Sequence, residues 1–229
     1  MKRFYKDVTV SAAPFQILLD GRPVKTPMKA ALTLPTAALA EAVADEWRAQ
    51  GEEIAPGAMV LTKLANTALD RVAPMQDAVA GQVMSFANDL LCYRAERPSA
   101  LAALQSTEWD PLLDWVRERY GVRLRTRPGI VHFFQSDETL AVLRAAVEAY
   151  DAFQLTALAS AAPILGSLVL TLALAEGRLD AEAAFALSQL DERFQADRWG
   201  EDQEAADRAA ALLAELKAVE KFLRLAVAP

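Results

Sequence analysis

The residue types that most often carry catalysis are scarce in this sequence. There is one histidine, His132, and one cysteine, Cys92. His132 stands inside the apolar run Ile130-Val131-His132-Phe133-Phe134, where a lone imidazole is more often a structural residue than a general base. Paired with an acidic residue it would make a small hydrolase, and that is the alternative reading of the chain. It lacks a nucleophile elbow, and no spacing nominates a triad. The single histidine also rules out the paired-imidazole zinc motifs, so no metal is expected. Cys92 lies among Leu90, Leu91 and Tyr93, which points to a buried, inert thiol and excludes an internal disulfide. Nine dispersed glycines form neither a GxGxxG nor a Walker-type loop, so no nucleotide and no cofactor is expected.

The densest group of unusual residues runs from Leu190 to Glu204. Trp199 and Gly200 close one helical pattern, and Glu201, Asp202 and Glu204 open the next. Acids in a first turn cap the helix and complement its dipole. A tryptophan beside charge is also where binding energy concentrates in protein interfaces. Both roles are open to Glu201, Asp202 and Glu204 at this level, and Trp199 either plugs the junction or anchors a contact.

The elements that must position these groups follow from periodicity. Phe15–Leu19 and 22–26, joined by Asp20-Gly21, read as a two-residue β-hairpin. Pro23 confines its strand to an edge or bulge. Segments 4–10 and 31–34 are further strand candidates. Thr36 caps a helix carrying Leu39, Val43 and Trp47 on one face and ending at Gly51. Residues 59–70 form a second short helix or a linker with one buried face. Beyond Val72 the pattern is helical. Met75, Val79, Val83, Phe86 and Leu90 make one stripe; a run from Ser99 is followed by a new start at Asp110-Pro111 and a stop at Gly121. Segments 122–126 and 130–134 suit a short strand pair or an extended connection. Ser136 caps a helix with Leu140, Leu143, Val147 and Tyr150 inward. An apolar helix around Ile164 ends at Gly177, Asp180 caps another that ends at Gly200, and Leu212, Leu216, Val219 and Leu223 mark the last. The expected fold class is α+β: a small N-terminal α+β domain over 1–72 with the hairpin, then a larger helical domain over 73–229 around one buried apolar helix.

Composition excludes several functions. The chain is 229 residues, 53% hydrophobic and 24% charged, with net charge −7, which fits a globular protein and not a disordered one. The arginines are scattered, several of them beside acids as in Asp70-Arg71, Arg117-Glu118-Arg119 and Asp197-Arg198, so phosphate-backbone binding is not expected. The stretch 152–175 carries no charge, which raises a membrane-anchored scaffold as a third reading. Its strongly apolar part, 164–174, is about half of what a span needs, and Pro163, Gly166, Ser167 and Thr171 interrupt it. A buried helix is expected there. The N-terminal residues have neither a signal core nor an Arg/Ser-rich transit pattern, so a cytoplasmic, bacterial location is expected.

Several blocks together carry a family likeness. Arg3-Phe4-Tyr5-Lys6, Leu19 to Pro27, Glu46-Trp47-Arg48-Ala49-Gln50, Met59 with Leu61 to Ala68, Leu187 to Glu192, and Trp199-Gly200 occur in one order along the whole chain. In this the sequence resembles the assembly chaperones of the F-type ATP synthase catalytic head that act on the alpha subunit, known from mitochondria and alphaproteobacteria. The resemblance implies a β-containing N-terminal domain, a helical C-terminal domain and no catalysis. It implies a protein partner, the unassembled alpha subunit, shielded from aggregation until the beta subunit replaces the chaperone; a monomer is expected. It also implies a functionally sensitive acid near the C-terminal block. Glu192 falls within the matched segment, and Asp202 and Glu204 are equal candidates beyond it.

Overall fold

A computed structural model describes residues 1–200 and 202–227. The fold class is α+β, with a small strand-bearing N-terminal part followed by a larger helical part. The chain forms two compact units. One holds Met1–Gln76, Tyr150–Ala157 and the residues from Ala218 onward; the other holds Asp77–Ala149 and Leu158–Lys217.

In the first unit, β2 (Phe15–Leu19) is the hub of an antiparallel sheet. It pairs with β1 (Val8–Val10), β3 (Arg22–Pro23) and β4 (Thr33–Leu34). Leu19 faces Arg22 across a two-residue turn in which Asp20 and Gly21 take φ of 49° and 76°. That is the left-handed geometry for which glycine is suited. Pro23, which has no N–H to give a ladder, sits on the edge strand as expected. α1 (Ala37–Arg48) starts where Thr36 Oγ1 accepts from the Leu39 N–H, and it buries Leu39, Ala40, Val43 and Ala44. α2 (Val60–Thr67) is the short helix anticipated over 59–70. Its free N-terminal N–H groups at Leu61 and Thr62 donate to the Glu46 carboxylate at 2.7 and 2.8 Å, which joins α2 to α1.

The part of the chain beyond α2 departs from the sequence expectation in four places. A wide turn over Ala68–Val72 and a tight one over Ala73–Met75 precede α3 (Gln76–Met84). They break the 3.6-residue phase, so Met75 is exposed and the inward face is Ala80, Val83 and Met84. No new helix begins at Pro111. α4 (Ser99–Tyr120) is continuous and buries Leu101, Gln105, Trp109, Leu112 and Val116. Pro111 and Thr107, whose carbonyl it leaves without a helical donor, both face solvent, where water supplies the bond. The helix stops at Gly121 with φ 72°. α5 (Asp137–Glu148) begins at the Ser136 cap, as anticipated.

The apolar stretch is two helices, α6 (Ala152–Leu165) and α7 (Leu168–Ala175), and not one. Gly166 takes φ 61°, and Ser167 then caps α7 by accepting from the Leu170 N–H at 3.0 Å. Among the described residues no helix is long and apolar enough to cross a membrane. Likewise the run from Asp180 to Gly200 is α8 (Ala181–Ser188) and α9 (Leu190–Trp199), parted at Gln189. At this break the Leu187 carbonyl accepts from the Trp109 indole N–H at 3.1 Å. α10 (Gln203–Ala226) completes the chain.

Segments 122–126 and 130–134 form neither helix nor strand and do not pair with each other. The short parallel pair is instead β5 (Tyr93–Arg94) with β6 (Arg127–Pro128). Asp89 is the deepest ionisable group. Its carboxylate accepts from Leu91 N at 3.0 Å, Ser167 Oγ at 2.8 Å and Val169 N at 2.8 Å. Burial outweighs those bonds and pushes its pKa up to about 6. Cys92 is buried as expected, and burial followed by the nearby Asp89 charge pushes its thiol pKa up.

Candidate partner-binding site

α9 ends in the open. Trp199 is 78% exposed, an unusual state for so large an apolar ring. Gly200, with φ 93°, turns the chain. Asp202 then caps α10: its carbonyl accepts from Ala206 N at 2.9 Å and its carboxylate from Glu204 N at 3.1 Å. Glu204 lies in the first turn and pairs with Arg208 at 2.9 Å, both side chains exposed. An exposed pair of this kind contributes only about 0.3–0.5 kcal/mol, so the carboxylate is readily given to a partner. The capping role and an exposed surface therefore coincide in Asp202 and Glu204.

Glu192 is exposed on α9, seven residues before Trp199. Seven residues are close to two helical turns, so the two side chains share a face. Its neighbour Asp191 has a structural role, accepting from Gln105 Nε2 at 2.7 Å. Glu201 lies outside the described residues. The other face of α9 contributes Leu190, Arg193, Phe194 and Asp197 to a groove of about 330 Å³ shared with Leu104 and Leu187.

One exposed feature was not anticipated. Ile130, Val131 and Phe134 are 94%, 62% and 77% exposed, although the run they belong to looks like core. A signal existed: Arg123, Arg125 and Arg127 alternate just before it, with no acid between Glu118 and Asp137. Val122 and Leu124, which flank Arg123, are buried, and the Arg125 guanidinium donates to the Phe134 carbonyl. His132 is exposed at this tip, its ring edge-on to Phe134 with centroids 4.7 Å apart.

Comparison with known proteins decides the class. A family model described as ATP12 chaperone protein matches residues 2–117. The crystal structure of Atp12 from Paracoccus denitrificans superposes with a TM-score of 0.95 at 45% identity, covering 99% of this chain and 98% of that one. This chain belongs to the ATP12 chaperone family. A D202K mutant of P. denitrificans Atp12p superposes equally well, at 44% identity over the same coverage. Protein atp12, mitochondrial, from Schizosaccharomyces pombe is 26% identical over 219 residues, which are 89% of this chain and 75% of that protein.

Membership of the ATP12 family makes the protein an ATP synthase assembly chaperone and not an enzyme, which removes the hydrolase reading of His132. The N-terminal blocks that suggested the family now have physical roles. Arg3 donates to the carbonyls of Gln50 at 2.6 Å and Tyr5 at 3.2 Å, placing a cation just past the C-terminus of α1. The Tyr5 hydroxyl donates to the Trp47 carbonyl at 2.7 Å, and Glu46 caps α2. These ATP12 blocks encode the junction of the N-terminal segment with α1 and α2.

Proposed function

We propose that this chaperone holds the unassembled alpha subunit of the F-type ATP synthase, working as a monomer in a bacterial cytoplasm, and yields it to the beta subunit. A subunit destined for an obligate oligomer exposes an apolar interface that aggregates while unpaired. The observation that carries the reading is the exposed Trp199 beside the solvent-facing carboxylates of Asp202 and Glu204. A large ring anchors contact area while the acids select a basic rim. Glu192 extends the same surface along α9, and Glu201 is assigned to it from sequence. The exposed Ile130, Val131 and Phe134 offer further apolar area for covering such an interface.

The test is light scattering of purified alpha subunit at a temperature where it aggregates. Equimolar wild-type chain should suppress scattering. Glu204→Lys and Asp202→Lys should each weaken binding by about tenfold, the order expected for reversing a contact charge, and Trp199→Ala by about 30-fold. Asp202→Lys also removes a helix cap, about 1 kcal/mol, so its circular dichroism must be recorded alongside. Wild-type chain that leaves the scattering unchanged would refute the holder reading. Full protection by all three variants would refute the site.

A further inference from the structure

Two buried side-chain polar atoms among the described residues have no hydrogen-bond partner: Nε1 of Trp47 and Oδ1 of Asn66. Both side chains line the same cavity of about 540 Å³ in the first unit. Native proteins leave few such atoms unpaired, because a buried donor or acceptor without a partner is costly. A lone donor and a lone acceptor, both covered, thus belong to side chains that line a single cavity. Neither is needed by the fold, since the nearby tasks are taken by other atoms. Glu46 joins α1 to α2, and Tyr5 is bonded to the Trp47 backbone carbonyl.

The rest of the lining says what fits. Met1, Met28 and Met59 border the cavity. Unbranched, polarizable methionine side chains adapt to varied apolar shapes, so the lining can reshape around an occupant at low cost. Lys63 and Arg71 stand at the same cavity and make no ion pair among the described residues. The one carboxylate in the lining, that of Asp70, is already engaged by the Thr26 hydroxyl at 2.6 Å and the Met28 N–H at 3.0 Å. Two cationic side chains against that one carboxylate leave the lining net positive.

A backbone carbonyl and a backbone N–H of an extended chain are the pair that an indole N–H and an amide oxygen satisfy. We propose that this cavity binds an extended segment of a client polypeptide, with one carbonyl on Trp47, one N–H on Asn66, an apolar side chain among the methionines and an acidic residue toward Lys63 and Arg71. This rests on the reading of the chain as a holder of the alpha subunit, and it adds a second contact remote in sequence from Trp199. A small apolar ligand would fill the methionine lining and leave the donor and acceptor unused. A shared water would pair them and exclude a peptide.

The experiment follows the indole N–H nuclear magnetic resonance signal of Trp47, one of four tryptophans, assigned by its loss in Trp47→Phe. The probes are overlapping 15-residue peptides that tile the alpha subunit of the same organism. Peptides joining apolar and acidic residues should move the signal downfield. Asn66→Leu should weaken their binding about tenfold while melting no lower than the wild type, because it removes no internal hydrogen bond. Trp47→Phe should weaken it similarly, and Asn66→Leu alone keeps the test decisive if the first variant misfolds. The proposal is overturned if no peptide moves the signal, if Asn66→Leu binds as the wild type does, or if its melting temperature falls. Peptides that move the signal while intact alpha subunit still aggregates would support the cavity and reject the holder reading. Protected alpha subunit with an unmoved signal would do the reverse.

Discussion

Replacing Asp89 by asparagine separates the cost of a buried charge from the value of its hydrogen bonds. The side chain is enclosed between the helical turn Leu90–Cys92 and the N-terminus of α7. Its pKa in the folded protein is about 6, against 3.8 for an ordinary aspartate. A raised folded pKa means that the native state holds the proton more tightly than the unfolded chain. The stabilisation is complete below about pH 4 and is lost as pH climbs through 6. A shift of about two units corresponds to about 3 kcal/mol between the acid and neutral limits, of which about 2–3 kcal/mol falls between pH 4 and pH 7. Asp89→Asn cannot titrate, so this dependence should vanish from it. Asparagine also turns an N–H₂ group toward one of the donors at Leu91, Ser167 or Val169, a penalty of about 1–3 kcal/mol that does not vary with pH. The assay is urea unfolding followed by circular dichroism at half-unit steps from pH 4 to pH 7. The difference in stability between wild type and variant should narrow by about 2–3 kcal/mol from the acid to the neutral end. Parallel curves would refute the reasoning, because they would mean that the three bonds hold the carboxylate ionised as readily as water does.

Two further substitutions probe the units separately. Thr36→Ala removes the α1 cap and the hydroxyl bond to the Leu225 carbonyl, so the unfolding free energy should fall by about 1–2 kcal/mol, with Thr36→Ser restoring most of it. Trp109→Ala empties a fully buried site and strands the Leu187 carbonyl, a loss of about 3–5 kcal/mol that calorimetry should register as a large drop in melting temperature.

The contrast between the hairpin and the apolar stretch shows where sequence reading succeeds. Asp20-Gly21, Thr36, Ser136 and Asp180 act within a few residues of themselves, through a turn dihedral or a cap on an N–H three places on. Such signals need no knowledge of the rest of the chain. Gly166-Ser167 carried the same kind of signal. It was outweighed by the continuous apolar character of 152–175, which marks burial but is silent on whether one helix or two is buried. Pro111 misled in the opposite direction, since a helix interior tolerates proline where the freed carbonyl faces water. The exposure of Ile130 and Phe134 had only an indirect signature, the arginines at 123, 125 and 127, because an apolar run reads as core unless something outside it fails to cover it.

The amino-acid sequence by itself determined the strand and helix inventory near its caps, the absence of a metal or nucleotide motif, and, through the order of several weak blocks, the family. Folding in three dimensions decided the rest. It put the Asp89 carboxylate beneath α7, made Asp202 a cap that is also exposed, and gathered Trp47, Met59 and Asn66 around one cavity. The Asp89 and cavity outcomes rest on residues separated in the chain, and the exposure of Asp202 on what its surroundings leave uncovered. A side chain's hydrogen-bond partners, and so its charge state and availability, are set there by neighbours that periodicity along the chain does not encode.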